Sequence, residues 1–370
     1  MFVFVCAGCG AELTAPLSQV ALPVHAHQKY GNGIQLPVLM ESGTFAVEPE
    51  PSGPPWRRWE EIDPDEAAAR GVYGPVHALS DGAPGAVVIA PGDIRATVLI
   101  PEKCGGYCCG LDGAEGPNLA CEACGLPVAS RIDDCSLWQA VWLAPDAVHR
   151  IPVDDTDAVP LSWAELMAEG RSTPPFEPIT GWGGPRLGSH HWWSWSPRWE
   201  AAAGRALAHL LAASEGRPVT VPDGLSEKVF QRALDTLLPT GPSAWRAVLG
   251  GPGLPASDAD AGILLVPVHP QTGDTWSPPD PAASAYRVPL PFDVWLWLAF
   301  PEPHLPAPAS GVMPDGVLRD DPPAPNPYSL FRPDPGVFRH TVVRLPAVRS
   351  QWLRDILDNL TQDVRARLFQ

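Results

Sequence analysis

All eight cysteines of this 370-residue chain lie before residue 136, and four of them form two matched motifs, Cys6-Ala7-Gly8-Cys9-Gly10 and Cys121-Glu122-Ala123-Cys124-Gly125. Two thiolates separated by two residues can chelate one tetrahedral ion, while amides of the tight turn donate to the sulfurs. Glycine after the second cysteine supplies the positive φ that such a turn needs. The expected chemistry is therefore capture of one soft metal ion by Cys6, Cys9, Cys121 and Cys124, with zinc the best match to four thiolates. A closed set of four leaves no position for water or substrate, so the ion is expected to be structural.

Each motif runs into a similar apolar stretch, Ala11-Glu12-Leu13 and Leu126-Pro127-Val128. In this the pair resembles a zinc ribbon, where two such knuckles at the ends of β-hairpins share an ion. The resemblance is confined to the knuckles and implies a structural Zn2+. Here they stand more than 100 residues apart, so the ion would tie the N-terminal strand to the far end of its own domain. A redox pair would instead place a single Cys-x-x-Cys at a helix start after a strand, and the matched repetition argues against it.

Cys104, Cys108, Cys109 and Cys135 remain. They suit a second metal site, built from Cys104, Cys135 and one or both of the vicinal pair. Alternatives are a local ribbon of Cys104 and Cys109 with Cys121 and Cys124, a reactive thiol at Cys108 or Cys109, and simple burial.

Outside the cysteines the most unusual stretch is Gly188-Ser189-His190-His191-Trp192-Trp193-Ser194-Trp195. Adjacent histidines on a strand face opposite ways and do not share an ion. The tryptophans could stack a ligand at a cleft near His190, His191 and Trp192, or seal a junction between domains; sealing is the simpler reading. His25-Ala26-His27 would set both rings on one strand face, although surface or core roles explain such a pair as well. His269 and His340 are expected at strand edges, and Asp154, Asp155 and Asp157 in a solvated turn. No Gly-x-Ser-x-Gly, His-Glu-x-x-His, phosphate-cradling glycine loop or deaminase signature occurs.

The charge balance is 25 basic against 42 acidic residues, a net −17, with Lys29, Lys103 and Lys228 the only lysines. Nucleic-acid affinity depends on clustered cations that displace counterions, so a nucleic-acid partner is disfavoured. No 18-residue apolar run suits a membrane helix, since Val288–Phe300 is short and broken by Pro289, Pro291 and Asp293. The early Cys6 interrupts any leader, and a cytoplasmic protein is expected, where cysteines mean metal or thiol chemistry rather than disulfides.

These groups need elements to hold them. The 47 prolines and 34 glycines point to short strands and many turns. Phe2–Val5, Ala86–Ala90, Ala96–Ile100 and Leu137–Leu143 read as strands, the last apolar on both faces and so internal. Asp63–Ala69 reads as a short helix. Ser196-Pro197 starts a helix that ends at Gly216, a second spans Ser226–Leu238, and Ala244–Leu249 suggests a third. Strands are expected at Ile263–Val268, Asp293–Phe300 and Phe338–Leu345, and a closing helix at Ser350–Phe369. The fold class expected is α+β: a mainly-β, zinc-bound domain over residues 1–155, then a mixed helix and strand domain over 156–370 with a proline-rich loop at 301–327. The function expected is a non-enzymatic, zinc-stabilised interaction or scaffold protein with protein partners. The alternatives are an enzyme at the His190 cleft and a nucleic-acid-associated zinc ribbon.

Overall fold

The computed structural model describes residues 1–31, 33–106, 108, 110–153, 159–182, 189–242, 244–255, 261–278, 285–301 and 330–362, without the side chains of 178, 182, 189–193, 361 and 362. Helix and strand are nearly balanced, 29% against 26%, which makes the chain a mixed α+β protein.

The first half is built on a seven-stranded sheet. Its order is Ser18–Gln19, Thr44–Val47, Val87–Ile89, Ala140–Leu143, Pro127–Ile132, Leu119–Cys121 and Thr97–Leu99. Every pairing is antiparallel except the first. Alternation along its strands feeds two cores. Phe45, Ile89, Val141 and Leu143 pack with Phe4, Leu13 and Leu17 on one side. Ala46, Val88 and Ala140 pack with Leu36, Leu39 and Trp138 on the other. Both faces are covered, as the two-sided apolar pattern of 137–143 requires, although the strand itself begins at Ala140. Phe2–Cys6 lies apart, paired antiparallel with Val148–Pro152.

The second half carries four parallel strands in chain order: Val219–Thr220, Trp245–Leu249, Ile263–Val268 and Tyr286–Pro291. The long helix Pro197–Ser214 packs against Tyr286–Pro291 and against helix Pro335–Val342. Its core includes Trp199, Leu207, Phe230, Trp295 and Phe338, and also takes in Ile62, Ala67, Val72 and Leu79 from the first half. A three-stranded sheet of Ile34–Gln35, Phe176–Trp182 and Ser189–Trp195 spans the two halves.

Several local expectations are corrected. Asp293–Phe300 is not a strand: Phe292–Ala299 is a helix, buried at six of its eight positions because it packs against Ile263–Val268 and Tyr286–Pro291. A segment apolar all round carries no period that separates strand from buried helix. Phe338–Val342 belongs to helix Pro335–Val342, because Asp334 caps it by accepting from the Val337 amide (2.7 Å) and Pro335 presets its first turn, and Val343–Leu345 follow as a turn. Where a helix is expected over Ala244–Leu249, Trp245–Leu249 is a strand, held between two parallel neighbours. The 226–238 segment contains a π-helical turn, Glu227–Gln231, followed by the α-helix Arg232–Leu237. Ser196 does precede the long helix, but its hydroxyl donates to Glu177 (2.7 Å) instead of capping. The closing helix is Gln351–Gln362; residues 363–370, the loop 302–327 and Asp154, Asp155 and Asp157 lie outside the described residues.

Candidate metal centre

Strand Phe2–Cys6 delivers Cys6 to a turn that returns through Val5 paired with Glu12. Strand Leu119–Cys121 delivers Cys121 to the turn that opens Pro127–Ile132. The two turns repeat the same hydrogen bonds. The Cys6 amide donates to Ala11 O and the Gly10 amide to Cys6 O, each at 2.8 Å. Likewise the Cys121 amide donates to Leu126 O and the Gly125 amide to Cys121 O, each at 2.8 Å. Gly10 and Gly125 both sit at positive φ, 76° and 75°, where a Cβ would be strained.

These twin turns bring four sulfurs together across the fold. Cys6 Sγ lies 3.5 Å from Cys124 Sγ, and Cys9 Sγ 3.7 Å from Cys121 Sγ. All four lie within 4.8 Å of one another, a group that could hold a metal ion. In each knuckle the first cysteine is buried and the second exposed. Gly8 leaves the sulfurs close company: a Cβ there would stand 3.4 Å from Cys124 Sγ. Amides converge as well, Ala11 on Cys9, Leu126 on Cys124, and Cys124 and Ala123 on Cys121. Against the desolvation at its site, those two amides lower the Cys121 thiol to about 7. The Leu126 amide alone would lower Cys124, yet its hydrogen bonds to the other three sulfurs push it up to about 12, and Cys9 is raised in the same way. The cage thus favours a first negative charge and resists the next, a conflict that a divalent cation removes.

No family model, curated protein or solved structure matches this chain.

The other four cysteines divide. Cys108 Sγ lies 3.1 Å from Cys135 Sγ, and with the Asp134 carboxylate they form a second group of potential ligands. Cys104 stands outside that group, its thiol donating to Ile100 O (3.1 Å). Cys109 lies outside the described residues. Asp134 was no candidate in the sequence, although it directly precedes Cys135; nothing local marks an aspartate as a ligand.

His25 and His27 do not share a strand face, because they lie in a turn. His25 is buried 4.4 Å from the Trp138 ring, and burial, then Arg198, lowers it to about 3. His27 stacks on Trp142 (5.4 Å) and pairs with Glu48, which is held below the ordinary carboxylate value despite its burial. His269 sits just past strand Ile263–Val268, its ring accepting from the Gln271 and Thr272 amides. His340 is helical rather than at a strand edge, and burial and Arg344 lower it to about 4. His190 and His191 pair in register with Gly181 and Thr180 and Trp192 with Ile179, but their side chains lie outside the described structure.

A polar cluster missed by sequence reading fills the junction beside that strand. Gln28 donates to Pro197 O (3.0 Å) and to Asp334 Oδ2 (3.1 Å), and accepts from Trp138 Nε1 (3.2 Å). Tyr30 bonds Glu200 and Ser194. Burial raises Asp334 and pushes Glu200 up to about 8; burial and then the Glu200 charge raise Tyr30.

Proposed function

We propose that Cys6, Cys9, Cys121 and Cys124 bind one Zn2+ ion, in the manner of a zinc ribbon, and that the metal-fastened chain serves as an interaction or scaffold protein for protein partners in the cytoplasm. The observation that carries this reading is the repetition between the knuckles, with matching hydrogen bonds, matching glycines and converging sulfurs. Zn–S bonds of about 2.3 Å set tetrahedral sulfurs about 3.8 Å apart. Sulfurs at 3.5 and 3.7 Å need move little to admit the ion. Four thiolates close its coordination sphere, which suits a fastener and leaves no place for chemistry.

What the ion fastens supports the rest. Among the described residues Thr97–Leu99 is the outermost strand of the large sheet, and Thr97 pairs opposite Cys121. It exposes Val98 at 47% and Leu99 at 49%. An open edge with apolar side chains accepts a strand from a partner, and the net −17 charge favours a basic protein over nucleic acid.

Metal analysis of the purified chain should return zinc that falls in Cys9→Ser. Immobilised wild-type protein should retain a defined partner that is lost both from a Val98→Lys, Leu99→Lys variant and from zinc-stripped chain. Zinc content unchanged in Cys9→Ser, or a partner retained equally by all three proteins, refutes the reading.

A second reading, an enzyme with a cleft near His190, His191 and Trp192, is favoured by one observation. Glu200, Tyr30 and Asp334 carry pKa values raised by burial, and Tyr30 contacts Ser194 of that strand. Groups so displaced concentrate at catalytic sites. Its mark would be a small molecule that quenches tryptophan fluorescence in wild-type protein and fails to bind Glu200→Gln.

A further inference from the structure

We propose that Cys108, Asp134 and Cys135 hold a second thiophilic divalent ion, Zn2+ in the first instance, with a coordination position turned toward the adjoining cavity. Among the described residues the site differs in kind from the knuckle pair: two thiolates, one carboxylate and neighbouring open space, in place of four thiolates closed on themselves.

The fold assembles it from two segments. Leu111 and Asp133 exchange backbone hydrogen bonds of 3.0 and 2.8 Å. That bridge lays the loop carrying Cys108 against the end of strand Pro127–Ile132, where Asp134 and Cys135 follow. Asp134 is 9% exposed and Cys135 4%, whereas Cys108 is exposed. The Cys135 amide donates to Asp134 Oδ1 at 2.7 Å. This contact fixes the carboxylate beside the sulfur, as outer-shell hydrogen bonds orient metal ligands elsewhere. One ligand atom from each residue lies within 4.8 Å of the others.

An ion fits with one small movement. Zinc at about 2.3 Å from sulfur and about 2.0–2.2 Å from oxygen sets two sulfurs about 3.8 Å apart. The observed 3.1 Å separation must widen by roughly 0.7 Å on that geometry, which the exposed Cys108 can supply while the buried pair stays in place. Two thiolates select zinc or a similar soft ion over magnesium or calcium, and the carboxylate is compatible with it.

The cavity gives the site its distinct character. It has a volume of about 250 Å³ and is lined by Asp134 and Cys135 together with Gln35, Leu36, Leu111 and Gln139. At about 30 Å³ per water, that space takes several waters or a small polar molecule. Among the described residues the ion has three protein ligands, and three ligands with an exchangeable fourth position are the arrangement in which zinc binds water or a small donor. Gln35 belongs to the strand paired with Thr180, which is itself opposite His191. A donor bound to this ion would therefore lie next to the sheet that joins the two halves.

The test is metal stoichiometry of the full chain by mass spectrometry after removal of loosely bound zinc, with folding checked by circular dichroism. Wild type should carry two Zn2+, Cys108→Ser one and Cys104→Ser two. Cys108 is exposed, so its replacement should leave the fold intact. Asp134→Asn should retain the knuckle ion and bind the second at least tenfold more weakly, the usual scale for a disturbed ligand shell. One Zn2+ in both wild type and Cys108→Ser would overturn the second site and leave the knuckle reading standing. A single ion lost from Cys108→Ser but kept by Cys9→Ser would do the reverse. A Cys108–Cys135 disulfide found by peptide mapping of protein purified without oxidant would also overturn the proposal.

Discussion

Replacing Glu200 by glutamine should remove much of a loss of stability that the wild-type chain suffers as pH rises. Glu200 lies in the first turns of helix Pro197–Ser214 and is mostly buried against Tyr30, with the Asp334 and Glu177 carboxylates and the Arg332 guanidinium as its charged surroundings. Burial is the largest influence on its carboxyl; Asp334 and Glu177 add to it, and Tyr30 and Arg332 oppose it. The result is a value of about 8 against an ordinary 4.5. Between those values the folded chain keeps a proton that the unfolded chain has released. Stability therefore falls as pH rises through this window and levels off above it. At about 1.4 kcal/mol per pH unit the ceiling is roughly 5 kcal/mol, and relaxation around a charged Glu200 would reduce it to a few. Asp334, also raised by burial, acts in the same direction. His25, His209 and His340, lowered to about 3, 4 and 4, act in the other. They are neutral when folded, and stability drops as pH falls below about 6.5.

Zinc bound as proposed would add a pH dependence of its own, because thiols lose protons to bind zinc and alkaline pH favours the bound form. The difference between variant and wild type cancels that contribution. Urea unfolding followed by tryptophan fluorescence at constant zinc, from pH 5 to pH 9, gives the difference directly. Glutamine should be neutral or mildly harmful at pH 5. Relative to wild type it should gain about 2–5 kcal/mol by pH 8.5. Two curves that stay parallel within about 0.5 kcal/mol across this range would show that Glu200 ionises in the folded chain as it does in water, and the burial argument would fail.

Two further outcomes follow from local geometry. Cys9→Ser leaves a three-sulfur cage, and its chemical stability should fall by several kcal/mol in zinc-containing buffer while differing little from zinc-stripped wild type. Gly204→Ala places a Cβ 2.5 Å from Asp334 O, on the backbone of the helix packed against Pro197–Ser214. That crowding should cost about 1–3 kcal/mol and lower the melting temperature, and an unchanged melting temperature would show that the two helices can separate freely.

The knuckles were legible because their physics is local. Two sulfurs, a tight turn and a positive-φ glycine are specified within five residues, so each half-site could be recognised without its partner. What could not be read was the means of convergence. Cys6 reaches Cys124 because Phe2–Cys6 pairs with Val148–Pro152 and packs Phe4 against Phe45 in the core that also takes Leu119 and Cys121. Those contacts join residues more than 40 positions apart, and no short window of sequence encodes them.

Two of the misread elements read as strands on their composition, for different reasons. Phe292–Ala299 and Pro335–Val342 are rich in β-branched and aromatic residues, and both are helices. In the first, Trp295, Trp297 and Val294 are all buried, so burial on every side erased the periodicity that distinguishes 3.6 from 2. In the second, the Asp334 cap and Pro335 were present in the sequence and outweighed side-chain preference. The junction cluster was hidden for the opposite reason. Gln28, Tyr30, Glu200 and Asp334 are individually ordinary, and only the long helix, its partner helix and the 28–36 segment make them neighbours. Once neighbours, they are cut off from water together, and the same burial that stabilises Trp199 and Trp138 raises the acids. A polar group placed in such a core stays only if each member is satisfied, and Gln28 meets that demand by bonding Trp138, Pro197 and Asp334 at once. The junction is therefore specified by hydrogen bonds as well as by apolar area, and that is why its stability should answer to pH.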